Sequence, residues 1–414
     1  MADRSARRRE LPMLACVFLF WFSMYTYPSF FSAYVSDRLL APEVMTGLIV
    51  GAYGFAQMVL PIPLGIVSDL TRRRKLFVTL GLCASLLACA GLIFTEALAA
   101  KGAPGAAAHV VALIARGLSG VTAATWVSFS VLYSASYEAD EIAPAVSRLM
   151  VPQYGSQIIA MLLGAQLAQR LGETAAFALG AAAALGGLVL MRRVPERPPE
   201  GERLTLRSFR AVLSDRGLRV GTLLGTLFRL ICWGTVLGFV PNWARDMAGF
   251  TVAELGFLSV MYLLPNTVMA RLSGAYLAPR FGFRAVLAAG FSLVGVACLL
   301  YPRALSLWPM MATQALFGVG MGLILPLTLS VAIHDIPDRR RGAAMGVYQA
   351  VYGAGVFIGP VAAGWIIASQ ATPAAGMALN FRVNAALSLL GALLSLALVR
   401  GRRASGQESS KSFT

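Results

Sequence analysis

The 414-residue sequence has few charged residues and almost no histidine. Only 13% of its residues are Asp, Glu, Lys or Arg, and two are His. Soluble domains carry roughly 25% charged residues. A soluble chain with 57% hydrophobic residues would expose large apolar patches to water. The composition therefore excludes a soluble enzyme, a disordered chain and a nucleic-acid-binding domain, and it indicates an integral membrane protein.

Residues that bind metals or catalyse reactions are also scarce. His109 and His334 are far apart in the sequence, and there is no nucleotide-binding P-loop. We therefore expect no enzyme activity, no metal and no cofactor. Five cysteines lie in apolar stretches without metal-ligand spacing, which is typical of buried apolar side chains: Cys16, Cys83, Cys89, Cys232 and Cys298.

Long apolar segments follow one another along the whole chain, separated by charged residues or by Pro and Gly. About 20 apolar residues span a membrane as a helix. The segments are continuous rather than alternating, which argues against a transmembrane barrel. They predict twelve transmembrane helices, numbered 1 to 12 below, at 11–35, 43–67, 76–95, 107–132, 149–169, 174–191, 219–244, 252–277, 285–301, 307–333, 342–369 and 377–399.

The longest hydrophilic stretch, which follows helix 6, divides the chain into two halves. It predicts an N-terminal six-helix bundle at 1–191, a cytoplasmic linker at 192–218, a C-terminal six-helix bundle at 219–400 and a cytoplasmic tail at 401–414.

The two halves are weakly repeated. At an offset of 209 residues, Asp37 corresponds to Asp246 and Tyr53 to Tyr262. Duplicated six-helix bundles are the usual architecture of transporters that work by alternating access, with a site between the halves.

The basic residues predict the orientation. If the N-terminus is cytoplasmic, 26 of the 35 Lys and Arg residues fall on the cytoplasmic side, 5 fall outside and 4 lie within helices. Basic residues collect in cytoplasmic loops. We therefore expect a multi-pass protein of the plasma (inner) membrane with both termini inside, and most of the net charge of +16 reflects this topology.

The loop between helices 2 and 3 resembles a signature of the major facilitator superfamily, G-x-x-[AS]-D-R-x-G-[RK]-[RK]. Leu70 and Arg72 depart from the pattern. The matching residues are Gly65, Ser68, Asp69, Arg73 and Arg74. A carboxylate at a helix end can bind a neighbouring helix N-terminus and arginines in one conformer only. The alternative is that the basic run only sets the topology.

Two further motifs carry the resemblance, which spans the whole chain. Arg116–Ala124 in helix 4 resembles the R-x-x-[QS]-G-x-x-A-A motif of the family, and Gly355–Gly364 in helix 11 matches G-x-x-x-G-P-x-x-x-G. The resemblance implies an all-α membrane protein of two pseudo-symmetric six-helix bundles. The residues with a predicted role in conformational gating are Gly65, Asp69, Arg73, Gly359 and Pro360.

In this family helices 1, 4, 7 and 10 line the cavity. Arg229 falls close to the middle of helix 7, and an arginine inside the bilayer normally faces a cavity or a partner. Arg116 is either part of the site or a structural buried pair, for example with Asp69. The candidate substrate-binding residues are Arg229, Arg116, Tyr25, Trp126, Gln153, Gln157, Trp233, Asn266, Gln349 and Tyr352.

No Asp or Glu falls at a midplane position of a predicted helix. The sequence therefore predicts a secondary active or facilitative transporter of a small organic solute, anionic because the embedded charges are arginines. The alternatives are a proton-coupled multidrug exporter, a lipid-type flippase and, more remotely, a non-transporting membrane receptor. The expected partners are the substrate, the lipid bilayer and, for a coupled transporter, protons; nucleic acid is not expected, and the protein is expected to be a monomer.

The topology is tested with reporter fusions. Because the basic residues collect on one side, reporters fused after Arg197 and at the C-terminus should both be cytoplasmic. A periplasmic signal from either fusion would contradict the twelve-helix arrangement.

Overall fold

A computed structural model describes residues 2–101, 105–134, 142–196 and 210–399 of the protein. The linker residues 197–209 and the predicted tail 401–414 lie outside this part. The described residues are helical throughout, without a strand. In the first half, helices 1 to 6 are Ala2–Tyr25 with Phe31–Asp37, Glu43–Val59 with Pro61–Thr71, Arg74–Ala99, Ala106–Ala124 with Trp126–Ser134, Ile142–Leu171, and Glu173–Met191.

The second half repeats this order. Helices 7 to 12 are Arg216–Gly234 with Val240–Ala248, Val252–Leu272 extended by Ser273–Leu277 and Ala278–Phe281, Phe283–Leu300 with Tyr301–Arg303, Leu307–Ile333, Asp338–Ala368, and Pro373–Leu398.

Eight of these helices in the described part are long and apolar enough to cross a membrane, or nine if the bent pair in helix 2 is one span. Helices 1, 5 and 7 complete the twelve. Helices 1 and 7 are interrupted, and helix 7 also carries Arg219 and Arg229, which lower its hydropathy. A non-helical backbone at membrane depth is tolerated where it is buried in protein or lines a cavity.

Helices 1 and 7 break at equivalent places, although the sequence predicted a continuous helix for each. Helix 1 ends at Tyr25 and resumes at Phe31, and helix 7 ends at Gly234 and resumes at Val240, so that both breaks obey the offset of 209 residues. Proline removes a helical hydrogen bond and disfavours helix in the residue before it. Pro28 therefore explains the first break.

Side-chain caps fix the start of several helices in the second half. Asp215 accepts a hydrogen bond from the backbone N–H of Leu218 at 2.8 Å, at the start of helix 7. Thr251 and Glu254 form a reciprocal capping box at the start of helix 8. These caps satisfy backbone donors that a helix leaves unpaired.

The two halves meet mainly where helix 2 packs along helix 11 and where helix 5 packs along helix 8. Small residues permit the close approach. A Cβ at Gly47 would collide with the carbonyl oxygen of Pro360, and one at Gly54 would collide with the backbone at Val356 and Phe357.

Glycine also brings two helix backbones into close contact within each half. Gly120 of helix 4 lies against the carbonyl of Tyr53 in helix 2, and Gly318 of helix 10 lies against the carbonyl of Tyr262 in helix 8. Tyr53 and Tyr262 are related by the offset of 209 residues, and Gly120 and Gly318 are related by an offset of 198. The weak sequence repeat therefore reflects a repeated helix contact.

The interface between helices 2 and 11 is tested by Gly54→Ala. The added methyl group meets backbone rather than a flexible side chain. Overpacking of this kind costs about 1–3 kcal/mol. We expect a lower melting temperature in detergent and impaired transport. Gly117→Ala is the matched control because no atom lies within 4 Å of its Cβ position. Equal melting temperatures for the two variants would contradict the close contact.

Candidate functional site

Arg229 lies between the two halves and is half-buried. Its guanidinium carbon is 4.9 Å from the centre of the Tyr352 ring, which belongs to helix 11. Helix 11 comes this close because Gly355 packs against the Arg229 Cβ and the Thr226 carbonyl oxygen of helix 7. The glycine at this position therefore places a ring beside the cation.

The first half faces Arg229 with neutral polar groups. Tyr25 of helix 1 and Tyr154 of helix 5 lie within electrostatic range of its guanidinium. Within the described residues, no carboxylate forms an ion pair with Arg229. The site therefore offers one positive charge without an anionic protein partner.

Arg116 is stabilised differently. It is only 3% exposed, and its guanidinium carbon lies 4.7–5.7 Å from the centres of four aromatic rings: Tyr27, Phe31, Tyr53 and Trp233. Each such contact contributes about 0.5–2 kcal/mol. We call these four rings the aromatic cage. The rings come from helices 1, 2 and 7, so the cage of a first-half arginine includes one ring of the second half.

The structure brings several of the predicted site residues together. Tyr352 lies against Arg229, and Tyr25 lies within electrostatic range of it. Gln349 is half-buried on the same helix as Tyr352, and Gln153 is half-buried next to Tyr154. Trp126 is half-buried and reaches Tyr25 through the ring of Trp21. A substrate contact for each of these residues stays a prediction.

The other predicted residues are more deeply buried. Trp233 and Arg116 belong to the aromatic cage. Gln157 is 5% exposed, and the backbone of Asn266 packs against Gly322 of helix 10. The sequence also places Tyr154 beside Gln153 on helix 5, but Tyr154 is not among the candidate residues above, because a single tyrosine in an apolar helix is usually a packing residue.

The residues with a predicted gating role are spread over two places. Gly65 lies in helix 2 and Arg73 immediately precedes helix 3; the side chain of Asp69 lies outside the described part. At the other place, in helix 11, Gly359 packs against helix 7 at Leu230, and Pro360 packs against Gly47 of helix 2.

Arg72, one of the two departures from the loop pattern, has a positive φ of 55°. Glycine adopts this left-handed conformation readily, which explains why the family pattern has glycine there.

Asp69 lies far along helix 2 from Arg116. The guanidinium group of Arg116 contacts Tyr53, and Asp69 follows Tyr53 by sixteen residues on that helix. That separation is roughly 24 Å at 1.5 Å per residue, too far for the pair considered above.

Polar contacts join the two halves at the end that carries the helix breaks. Arg245 Nε and Asp37 Oδ2 form an ion pair at 2.6 Å. The side-chain amide of Asn242 donates to the carbonyl oxygen of Ser32 at 3.4 Å. The backbone N–H of Val252 donates to the side-chain oxygen of Gln169 at 3.0 Å. These contacts close this end, which the charge distribution predicts to face outward.

Asp37 and Asp246, which correspond in the sequence repeat, share this end. Burial and the negative charge of Asp37 raise the pKa of the Asp246 carboxyl to about 6, although Arg245 opposes the shift. Burial also raises the pKa of Asp37, and Arg245 again opposes this. Arg38, close by in the sequence, is held by Glu96, with its Nη2 2.8 Å from Glu96 Oε1.

Comparison with known proteins places this geometry in a family. The family model described as "Major Facilitator Superfamily" matches residues 13–251 and again residues 222–413. The inner membrane transport protein YajR of Escherichia coli is 27% identical over 352 residues, which cover 79% of this chain and 70% of that protein.

Two other similarities are more limited. The multidrug transporter protein MdtP of Bacillus subtilis is 29% identical over 157 residues, which cover 38% of this chain and only 28% of that protein. The crystal structure of the nucleoside transporter NupG has a TM-score of 0.74 over 95% of this chain and 99% of that chain. At 15% identity this likeness shows a shared fold.

Closure of the end with the helix breaks should depend on pH. The pKa of Asp246 is raised in the closed form, and solvation on opening should lower it. The closed form therefore binds the proton more tightly, so it is favoured below about pH 6 and loses this advantage as the pH rises. Asp246→Asn should reduce this pH dependence and leave only the contribution of Asp37, whose pKa burial also raises.

The measurement is a distance between spin labels at the exposed positions Leu171 and Leu305, one in each half, in a Cys83→Ala background. The wild-type distance should lengthen between pH 5 and pH 8, a range chosen around the raised pKa of Asp246, and the Asp246→Asn distance should change less. Glu254→Gln is the control, because Glu254 caps helix 8 within one half. An Asp246→Asn response as large as that of the wild type would contradict the assignment.

Proposed function

The chain belongs to the major facilitator superfamily, and we propose that within this family of membrane transporters it carries a small organic anion by alternating access. The bundles 1–191 and 219–400 would rock against each other about the substrate, joined by the linker 192–218. The end closed by Asp37 and Arg245 would face outward, and both termini would be cytoplasmic.

The observation that carries this proposal is the uncompensated charge of Arg229. An arginine at membrane depth is costly, at least about 2.5–3.5 kcal/mol on insertion scales. Four rings stabilise the positive charge of Arg116, whereas one ring and neutral side chains lie around the positive charge of Arg229. A carboxylate, sulfonate or phosphate on the substrate would supply the missing partner through a bidentate contact.

The second candidate function is a proton-coupled multidrug exporter. The glycine–proline motif of helix 11 and the similarity to a multidrug transporter favour it. A cationic drug would, however, meet the positive charge of Arg229, and no acidic side chain of the described residues pairs with this arginine. Like charges disfavour each other strongly at low dielectric constant. We therefore prefer an anionic substrate.

The proposal is tested by the melting temperature of the purified protein with carboxylates, sulfonates and phosphates, and with cations of matched size. A ligand that binds the folded state raises its stability. We expect anions to stabilise the wild type. Arg229→Ala should weaken anion binding by roughly 10- to 100-fold, because a hydrogen bond to a charged group contributes about 1.5–3 kcal/mol. Arg229→Lys should restore binding only in part, because lysine lacks the planar fork.

Arg271→Ala is the matched control, because Arg271 also lies in a membrane helix but is exposed. This variant should bind anions as the wild type does. Stabilisation by cations alone would favour the exporter. A well-folded Arg229→Ala protein with unchanged anion affinity would refute the anion site.

A further inference from the structure

The first half presents an aromatic wall on its side of the site. The ring centres of Trp126 and Trp21 are 5.2 Å apart, and those of Trp21 and Tyr25 are 5.9 Å apart. We call these three residues the aromatic row. Phe20 and Phe129 pack behind Trp126, with centres 6.2 and 5.8 Å away, and fix its orientation. The row therefore extends from half-buried Trp126 to Tyr25, which lies within electrostatic range of Arg229.

Helices 1 and 5 also carry buried polar atoms that lack a partner within the described residues. Among the described residues, the side-chain oxygen of Gln153 and the indole N–H of Trp21 are buried without a hydrogen bond. Trp21 is only 6% exposed, so its N–H is not simply turned to bulk water. Buried polar groups are normally satisfied by protein, water or a ligand. A ligand hydroxyl could serve either atom, because it both donates and accepts.

The second half faces the aromatic row with charged and polar groups. Arg229 supplies a positive charge, Tyr352 lies against it, and Thr226, which precedes Arg229 by three residues on helix 7, has a buried hydroxyl group without a partner. Neighbours at this spacing lie on one face of a helix. A ligand that contacts both halves would therefore have an acidic group that binds Arg229 of helix 7. The rest of the ligand would be a flat apolar ring with a hydroxyl group, in contact with helices 1, 4 and 5.

We propose that the substrate is a small aromatic acid with a hydroxyl group remote from its acidic group. This inference rests on the anion site proposed above and adds its substrate class. The anion binds Arg229, the ring stacks on the aromatic row, and the hydroxyl group bonds to Gln153. Because the two ends of the ligand bind different halves, its binding energy is available to draw the bundles together, as alternating access requires.

Four probes of similar size test the inference by isothermal titration: 4-hydroxybenzoate, benzoate, cyclohexanecarboxylate and the neutral 4-hydroxybenzamide. Benzoate should bind roughly 3- to 10-fold more tightly than cyclohexanecarboxylate, because only the planar ring stacks. 4-Hydroxybenzoate should bind more tightly than benzoate. The neutral amide should bind most weakly, because it lacks the charge that Arg229 requires.

Two variants assign the contributions. Trp126→Leu should remove the preference for benzoate over cyclohexanecarboxylate, and Gln153→Leu should remove the advantage of the hydroxyl group while the ring preference stays. Trp365→Leu is the matched control, because Trp365 is 64% exposed on the surface of helix 11. It should leave all affinities unchanged.

The outcomes separate the two proposals. If carboxylates bind through Arg229 but benzoate and cyclohexanecarboxylate bind equally well, the aromatic substrate class is wrong and the anion site stands. If the carboxylates bind equally well to Arg229→Ala, the anion site itself is wrong. Failure of all three carboxylates to bind the wild type would also overturn the inference. The comparison of probes on the wild type does not depend on the folding of any variant.

Discussion

A guanidinium group in the interior of a membrane protein must have a partner, and this constraint organises the centre of the structure. Two arginines lie in the central region of the chain, and the described residues contribute no carboxylate to either of them. Arg116 is enclosed by four rings and donates a hydrogen bond to the Ser119 hydroxyl group at 3.4 Å. Arg229 has one ring, remains half-exposed and retains the capacity to bind an anion.

Helix 7 connects the two arginines. Arg229 and Trp233 lie one turn apart on it, and Trp233 contacts both Arg116 and Tyr53 of the first half, with the Tyr53 and Trp233 rings stacked at 4.9 Å. Helix 7 then breaks after Gly234 and resumes as the segment that pairs with Asp37. The anion site, the aromatic cage and the closed end therefore share one element. A shift of helix 7 at the site cannot leave the other two contacts unchanged.

The close packing of helices restricts how the halves can move. Glycines at the crossing of helices 2 and 11 bring backbone against backbone, and Gly355 and Gly359 do the same between helices 7 and 11. Such surfaces have little freedom to deform, because protein interiors are close-packed. Motion between rigid bundles is therefore more consistent with this packing than motion within a bundle. The family motif of helix 11 is thus explained first by packing.

The sequence alone determined the membrane location, the succession of twelve helices and the family, because hydropathy, basic loops and short motifs are local properties of the chain. It also identified Arg229, since a charge in an apolar segment needs no structure to be noticed. Tertiary structure decided what the two arginines do, because their partners come from helices distant in the sequence. It also decided the breaks in helices 1 and 7 and the meeting of Asp37 with Arg245 and Asp246. A broken helix and a continuous one have nearly the same hydropathy, so only packing of the two repeats distinguishes them.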